Sequence, residues 1–228
     1  IGQPDLPTPE KAMNAIRNID SKTLAYSPSQ GILPLREEFV KYYRKFGIDL
    51  TPDEIIVTSG GSEALLATFL TCFDPGDEVI ITEPGSANYI GFAKANGLII
   101  KPVTSRIEDK FALPSAEDFR KAITPKTKAI LICNPNNPTG AVYSKEILLE
   151  IAEVARQNHL VLLADEIYDR LVMDGLRHES IGALAPDVPC VTFNGLSKSH
   201  IVCGFRCGWM VFSGPKRELD EVKNGVMQ

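Results

Sequence analysis

The chain has 228 residues, of which 44% are hydrophobic and 23% charged, with a formal net charge of −5. That size and composition suit a globular fold with a substantial core, and the acidic balance argues against nucleic acid or an anionic membrane as a general partner. Cys72, Cys133, Cys190, Cys203 and Cys207 form no C-x-x-C pair and complete no zinc spacing, so free thiols in a reducing, cytoplasmic setting are expected, and no metal site.

The opening "IGQPDLPTPEKAM" lacks a methionine, and the closing "KRELDEVKNGVMQ" is a charged helical pattern that has not reached a cap. Both ends read as cut from a longer protein. No signal peptide and no membrane-length apolar run is evident. "EIIVTS" (54–59) reads as a buried strand and "SEALLATFLTCF" (62–73) as a helix with apolar residues three and four apart. "DPGD" (74–77) is a turn. "EVIIT" (78–82) is a strand, "NYIGFAKAN" (88–96) a short helix and "LIIKPV" (98–103) a strand. "SAEDFRKAI" (115–123) opens with a capping serine and acidic residues in its first turn, as a helix does. "KAILIC" (128–133) is a strand. "SKEILLEIAEVARQNH" (144–159) is the clearest helix, with Ser144 as cap and Ile147, Leu148, Ile151, Val154 and Ala155 on one face. "LVLLAD" (160–165), "PCVTFN" (189–194) and "GWMVF" (208–212) are further strands.

Apolar strands alternating with amphipathic helices predict an α/β fold, a mostly parallel sheet covered on both faces. In such sheets ligands bind beyond the carboxyl ends of the strands. Four strands here end in unusual polar residues: Gly60, Gly61 and Ser62 after the first, "NPNNPTG" (134–140) after "KAILIC", Asp165, Glu166 and Tyr168 at the end of "LVLLAD", and Ser197 with Lys198 after "PCVTFN".

Each cluster has a plain reading and a sharper one. "SGGSEALL" is either a tight turn or a phosphate seat, its amides and helix dipole suited to an anion. It matches neither nucleotide fingerprint, since no Gly-Lys-Ser/Thr follows and G-x-G-x-x-G is absent. Arg206 and the Ser197 hydroxyl complete such a cradle. Asp165 is either a cap or a buried counter-ion, which needs a partner. "NPNNPTG" is either a rigid turn or an amide fixed for hydrogen bonding, with a cis peptide before Pro135 or Pro138 open to it. Lys198 alone reads as a loop lysine. Together they describe a site for pyridoxal 5'-phosphate: a lysine for the Schiff base, a carboxylate for the pyridine nitrogen, donors for the ring hydroxyl, and amides with a cation for the phosphate.

On "NPNNPTG", "ADEIYD" and "GLSKSHIVCGFRCGW", in that order and spacing, the chain resembles the class I/II aminotransferases of pyridoxal phosphate fold type I, from Gly2 to its last residue, and most of all their alanine-type members. The resemblance implies an N-terminal arm (1–20), a cofactor-binding large domain (21–228) and a small domain that lies beyond the chain. It assigns Lys198 to the Schiff base and to proton transfer, and Asp165 to the pyridine nitrogen. Asn137 and Tyr168 bind the ring oxygen. Gly61, Ser62, Ser197 and Arg206 hold the phosphate. Tyr26 reaches the phosphate of the neighbouring subunit in a homodimer, and Gly2 makes a backbone contact near the substrate. The implied activity is transfer of an amino group between an L-amino acid, of alanine or aspartate type, and a 2-oxo acid. A carbon–sulfur β-lyase and a non-catalytic cofactor sensor share the same motifs. Two positions depart from the pattern: Ser86 stands where an aromatic ring usually covers the cofactor, with Tyr89 nearby as a stand-in, and Ile201 stands where many relatives carry arginine.

Overall fold

The computed structural model describes residues 2–228. The N-terminal segment carries α1 (Glu10–Arg17), which buries no residue. Next comes α2 (Leu33–Arg44), which buries Phe39, Val40 and Tyr43. The alternation then begins: β1 (Ile55–Thr58), α3 (Gly61–Cys72), β2 (Glu78–Glu83), α4 (Ala87–Ala95), β3 (Ile99–Thr104), α5 (Ala116–Ala122), β4 (Thr127–Cys133), α6 (Lys145–Gln157) and β5 (Val161–Asp165). The short α7 (Ile181–Leu184), β6 (Cys190–Gly195), the one-turn α8 (Leu196–Ser199), β7 (Gly208–Ser213) and α9 (Lys216–Val226) complete it. Among the described residues no helix is long and apolar enough to cross a membrane.

The strands form one seven-stranded sheet in the order β1-β7-β6-β5-β4-β2-β3. The pairs β2–β3, β2–β4, β4–β5 and β5–β6 are parallel, while β7 runs antiparallel to both β1 and β6. Six strands therefore point the same way, and their carboxyl ends share one edge. The predicted strands and helices are all present within a residue or two of their expected ends. The reversed β7, and the helices α1, α2, α7 and α8, were not foreseen.

Alternation along the strands builds the two layers. On β4, Ile130 and Ile132 face a layer made with Phe119 of α5 and Leu148 and Ile151 of α6. Leu131 faces the opposite layer, with Leu65 and Phe69 of α3 and Tyr89 of α4. All three β4 residues are at most 2% exposed, and each such burial is worth about 1.5–3 kcal/mol. This is why the run reads as continuously apolar. A third cluster closes the β7 end: Phe39 of α2 stacks on Trp209 at 3.9 Å, and the Trp209 indole donates to Tyr43 at 2.8 Å.

Helix starts follow local chemistry. Ser115 begins α5 with a reciprocal capping box, its hydroxyl accepting from the Asp118 amide while the Asp118 carboxylate accepts from the Ser115 amide at 3.2 Å. Ser144 stands at the start of α6 as expected but makes no capping hydrogen bond there.

Candidate active site

The shared carboxyl edge opens into a cavity of about 570 Å³. Gly2, Gly61, Ser62, Asn137, Asp165, Tyr168, Ser197, Lys198 and Arg206 all line it. Tyr26 does not; it is fully exposed at the surface.

Lys198 sits on α8, directly after β6, and is half-buried. Its ammonium donates to the carbonyl of Gly2, so the N-terminal segment lies against the lysine. A side chain added at Gly2 would bring a carbon to 3.3 Å from Nζ. Thr8 ties the same segment down again, donating to the Ile201 carbonyl at 3.0 Å.

Asp165 ends β5, the strand beside β6. Its Oδ2 accepts from the Tyr89 hydroxyl at 2.6 Å and its Oδ1 from the Ile167 amide at 3.2 Å. Burial pushes its carboxyl up, the Tyr89 and Ile167 donors pull it back, and the neighbouring Glu166 adds to the rise. Among the described residues no cation holds it ionised. A carboxylate enclosed in this way lacks a positive partner, and it faces the cavity.

Tyr168, three residues on, is half-buried, and burial, with help from Cys133 and Asp165, pushes its phenol up to about 12. At neutral pH it carries its proton and has an O–H to donate. Asn137 reaches the cavity from the turn after β4. Its neighbours brace that turn: Asn136 donates to Thr139 Oγ1 at 2.8 Å and to the Pro84 carbonyl at 3.3 Å, while Asn134 accepts from the Tyr143 amide at 3.0 Å. The peptides before Pro135 and Pro138 are both cis, as is the one before Pro84.

At the other end of the cavity α3 begins at Gly61, so the free amides of its first turn point at the space beside Arg206. Arg206 donates Nη1 to the Cys203 carbonyl at 2.9 Å and Nη2 to the Ser59 carbonyl at 3.2 Å. Those bonds leave part of its five-donor fork unspent. Two glycines make room for this end. Gly60 has φ 86° and ψ 161°, a region essentially closed to other residues, and a side chain there would run into the Arg206 guanidinium. Gly208 of β7 lies so close to the Gly60–Gly61 backbone that a β-carbon would collide with it.

The candidate site thus holds more than the sequence motifs named. The structure gives Tyr89 a partner: α4 aims its hydroxyl at Asp165, and the residue also lines the cavity. Ser86 lines the cavity at the start of α4. Asn194, buried at the end of β6, also reaches the cavity wall and donates to Asp169 at 2.9 Å. Its place two strand residues before the turn into Lys198 is the one sequence signal for it. Ile201 does not line the cavity. It sits at φ 57°, an unusual conformation for a β-branched residue.

The donors fit pyridoxal 5'-phosphate. A helix start, two serines and an arginine make a seat for a dianion at one end. The Asp165 carboxylate would suit a protonated ring nitrogen, and the Lys198 amine on α8 lines the same cavity.

Known proteins agree with this arrangement. The family model described as aminotransferase class I and II matches residues 1–227. The glutamate-pyruvate aminotransferase AlaA of Escherichia coli (strain K12) is 40% identical over 219 residues, covering 95% of this chain and 53% of that protein. The aspartate/prephenate aminotransferase of Thermus thermophilus is 41% identical over 221 residues, covering 96% and 56% respectively. The solved alanine aminotransferase of Pyrococcus furiosus superposes with a TM-score of 0.94 at 38% identity, covering all of this chain and 58% of that one. The chain therefore spans about half the length of the relatives it matches. With its mostly parallel sheet, its strand-end cavity and its match along nearly every residue, the chain belongs to the class I and II aminotransferases.

Proposed function

We propose that this chain is the cofactor-binding part of an aminotransferase that moves an amino group between an L-amino acid and a 2-oxo acid. The observation that carries the reading is the meeting of Lys198, Asp165 and the Arg206 cradle in one cavity, delivered by neighbouring strand ends. The relatives named for glutamate–pyruvate and aspartate/prephenate transfer make alanine, glutamate and aspartate the amino donors to try first. Residues 1–20 are read as an N-terminal arm and 21–228 as the cofactor-binding large domain. Free thiols suit a cytoplasmic setting.

Pyridoxal phosphate, when bound, supplies an electron sink conjugated to the substrate's α-carbon. The chain's residues do the rest. Gly61 and Ser62 at the start of α3, Ser197 and Arg206 grip the phosphate. Asn137 and Tyr168 donate to the ring oxygen. The Asp165 carboxylate would hold the proton on the ring nitrogen and so keep the sink strong. Lys198 Nζ would be the covalent anchor for the cofactor, the base that takes the substrate's α-proton and the acid that returns it. The Gly2 carbonyl keeps that amine oriented. Tyr26, fully exposed here, completes the phosphate site of a second copy in a homodimer.

The test uses the full-length protein reconstituted with pyridoxal phosphate. Borohydride reduction followed by peptide mapping is expected to find the cofactor on Lys198, and L-alanine or L-glutamate to convert the bound chromophore with release of the 2-oxo acid. Label on another lysine, or no spectral conversion with any amino acid, overturns the reading.

A further inference from the structure

Asp165, the carboxylate read above as the partner of a ring nitrogen, has a buried phenol beside it. Tyr89 lies 76 positions earlier in the chain, on α4. It is 3% exposed, its ring packed among the residues between α3, α4 and the sheet. The carboxylate has no proton to give when ionised, so the 2.6 Å bond runs from the phenol to Oδ2. The Ile167 amide takes Oδ1 from the strand-end side. Each oxygen is therefore held by one protein donor, from two different elements. The plane of the carboxylate is set, and its remaining lone pairs are left for the cavity.

We propose that Tyr89 is the positioning residue for Asp165: its phenol orients the carboxylate and keeps it an anion, ready for the protonated ring nitrogen. The inference rests on the reading of the site given above. The chemistry behind it is simple. Burial disfavours the charged carboxylate, and among the described residues no cation offsets that. The phenol is the stronger of the two offsets. Tyr89 itself is held well above its ordinary range by burial and by the charge of Asp165, so it remains a donor throughout the working pH range. The other titratable groups around the pair are Cys133 at the end of β4, Tyr168 and Glu166 after β5, and Lys198 across the cavity. None of these donates a hydrogen bond to Asp165. The thiol of Cys133 is directed at the Pro135 carbonyl at 3.3 Å.

The experiment measures pyridoxal phosphate affinity of the full-length apo protein by absorbance between about pH 5 and pH 9, for wild type, Tyr89→Phe and a protein with 3-fluorotyrosine at position 89. Removing one donor from a charged acceptor is expected to weaken binding about 10-fold at neutral pH. It should also raise the acid midpoint of binding by about one unit, because Asp165 then takes up its proton more readily. The fluorinated phenol keeps the shape and strengthens the donor, so its midpoint should move down. In an Asp165→Asn background the Tyr89→Phe change should have no further effect on affinity. A phenol that only fills space would leave both midpoints where they are, and unmoved midpoints in both proteins overturn the inference. So does a Tyr89→Phe penalty that persists undiminished beside Asp165→Asn. Failure of the wild-type protein to bind the cofactor through Lys198 is a separate result: it removes the parent reading and this inference with it.

Discussion

Replacing Gly60 by alanine should injure stability and cofactor binding together. At φ 86° and ψ 161° the backbone of Gly60 lies where a β-carbon is strained whatever surrounds it, which costs roughly 1–3 kcal/mol. The new carbon would also stand 2.9 Å from Arg206 Cζ and 3.3 Å from Nη1, and closer still to Nη2. The guanidinium must swing away, giving up its bonds to the Ser59 and Cys203 carbonyls at 3.2 and 2.9 Å. Exposed as they are, these add about 1 kcal/mol between them. A loss of about 2–4 kcal/mol in urea unfolding of the apo protein is expected. Pyridoxal phosphate affinity should fall roughly 10- to 100-fold, the value of one charged phosphate donor. The two losses separate in an Arg206→Ala background: the binding penalty of Gly60→Ala should shrink there, since the fork is already gone, while the backbone penalty stays. A Gly60→Ala protein within about 0.5 kcal/mol of wild type, with unchanged affinity, would refute the account of this turn as a glycine-only cradle.

Three further outcomes follow from the same geometry. Gly91 lies inside α4 with nothing near the place its β-carbon would take, so Gly91→Ala should stabilise the protein by about 1 kcal/mol in the same urea assay; destabilisation would mean that α4 is packed more tightly than described. Asp165→Asn should lower the rate of the half-reaction at least ~100-fold. Because burial raises the folded-state value of this carboxyl, ionised Asp165 works against folding at neutral pH, so the apo variant should be at least as stable as wild type at pH 7; a clear loss of stability there would contradict the sign. His178 lies buried with Nε2 3.3 Å from Glu166 Oε2, at ion-pair distance though not aligned as a hydrogen bond. Burial lowers its value, but Glu166, Asp169 and Glu179 outweigh that and hold it above its ordinary range. Its contribution to stability is therefore full below about pH 6.5 and drains away as pH rises through the raised folded value. Thermal midpoints measured from about pH 6 to pH 8 should fall in wild type and flatten in His178→Gln; equal slopes would exclude the histidine as the source.

Much of the fold was legible because its signals are local. A strand buried on both faces must be apolar throughout, as Ala129–Cys133 and Leu162–Ala164 are, and a helix covering one face must repeat every three or four residues, as Leu148, Ile151, Val154 and Ala155 do. The direction of β7 was not legible. "GWMVF" is equally apolar run either way, and its reversal depends on where the chain returns to pair with β1 and β6. Helix α2 also escaped notice: arginine, glutamate and lysine interrupt its apolar face, and Arg36 is itself buried, donating to the Gly31 carbonyl at 3.2 Å and the Pro52 carbonyl at 2.7 Å.

For the site the division has the same cause. Lys198, Asp165, Asn137 and Ser62 stand out in the sequence because each follows an apolar strand, and parallel strands bring their ends to one edge. Tyr89 and Gly208 carry no such mark. A tyrosine three residues into a short helix and a glycine opening a strand are ordinary until the chain folds. The phenol then meets a carboxylate 76 residues away, and β7 closes against the turn that begins α3. Periodicity and strand-end chemistry are written residue by residue. Contacts across the sheet exist only once burial has chosen which distant segments lie side by side.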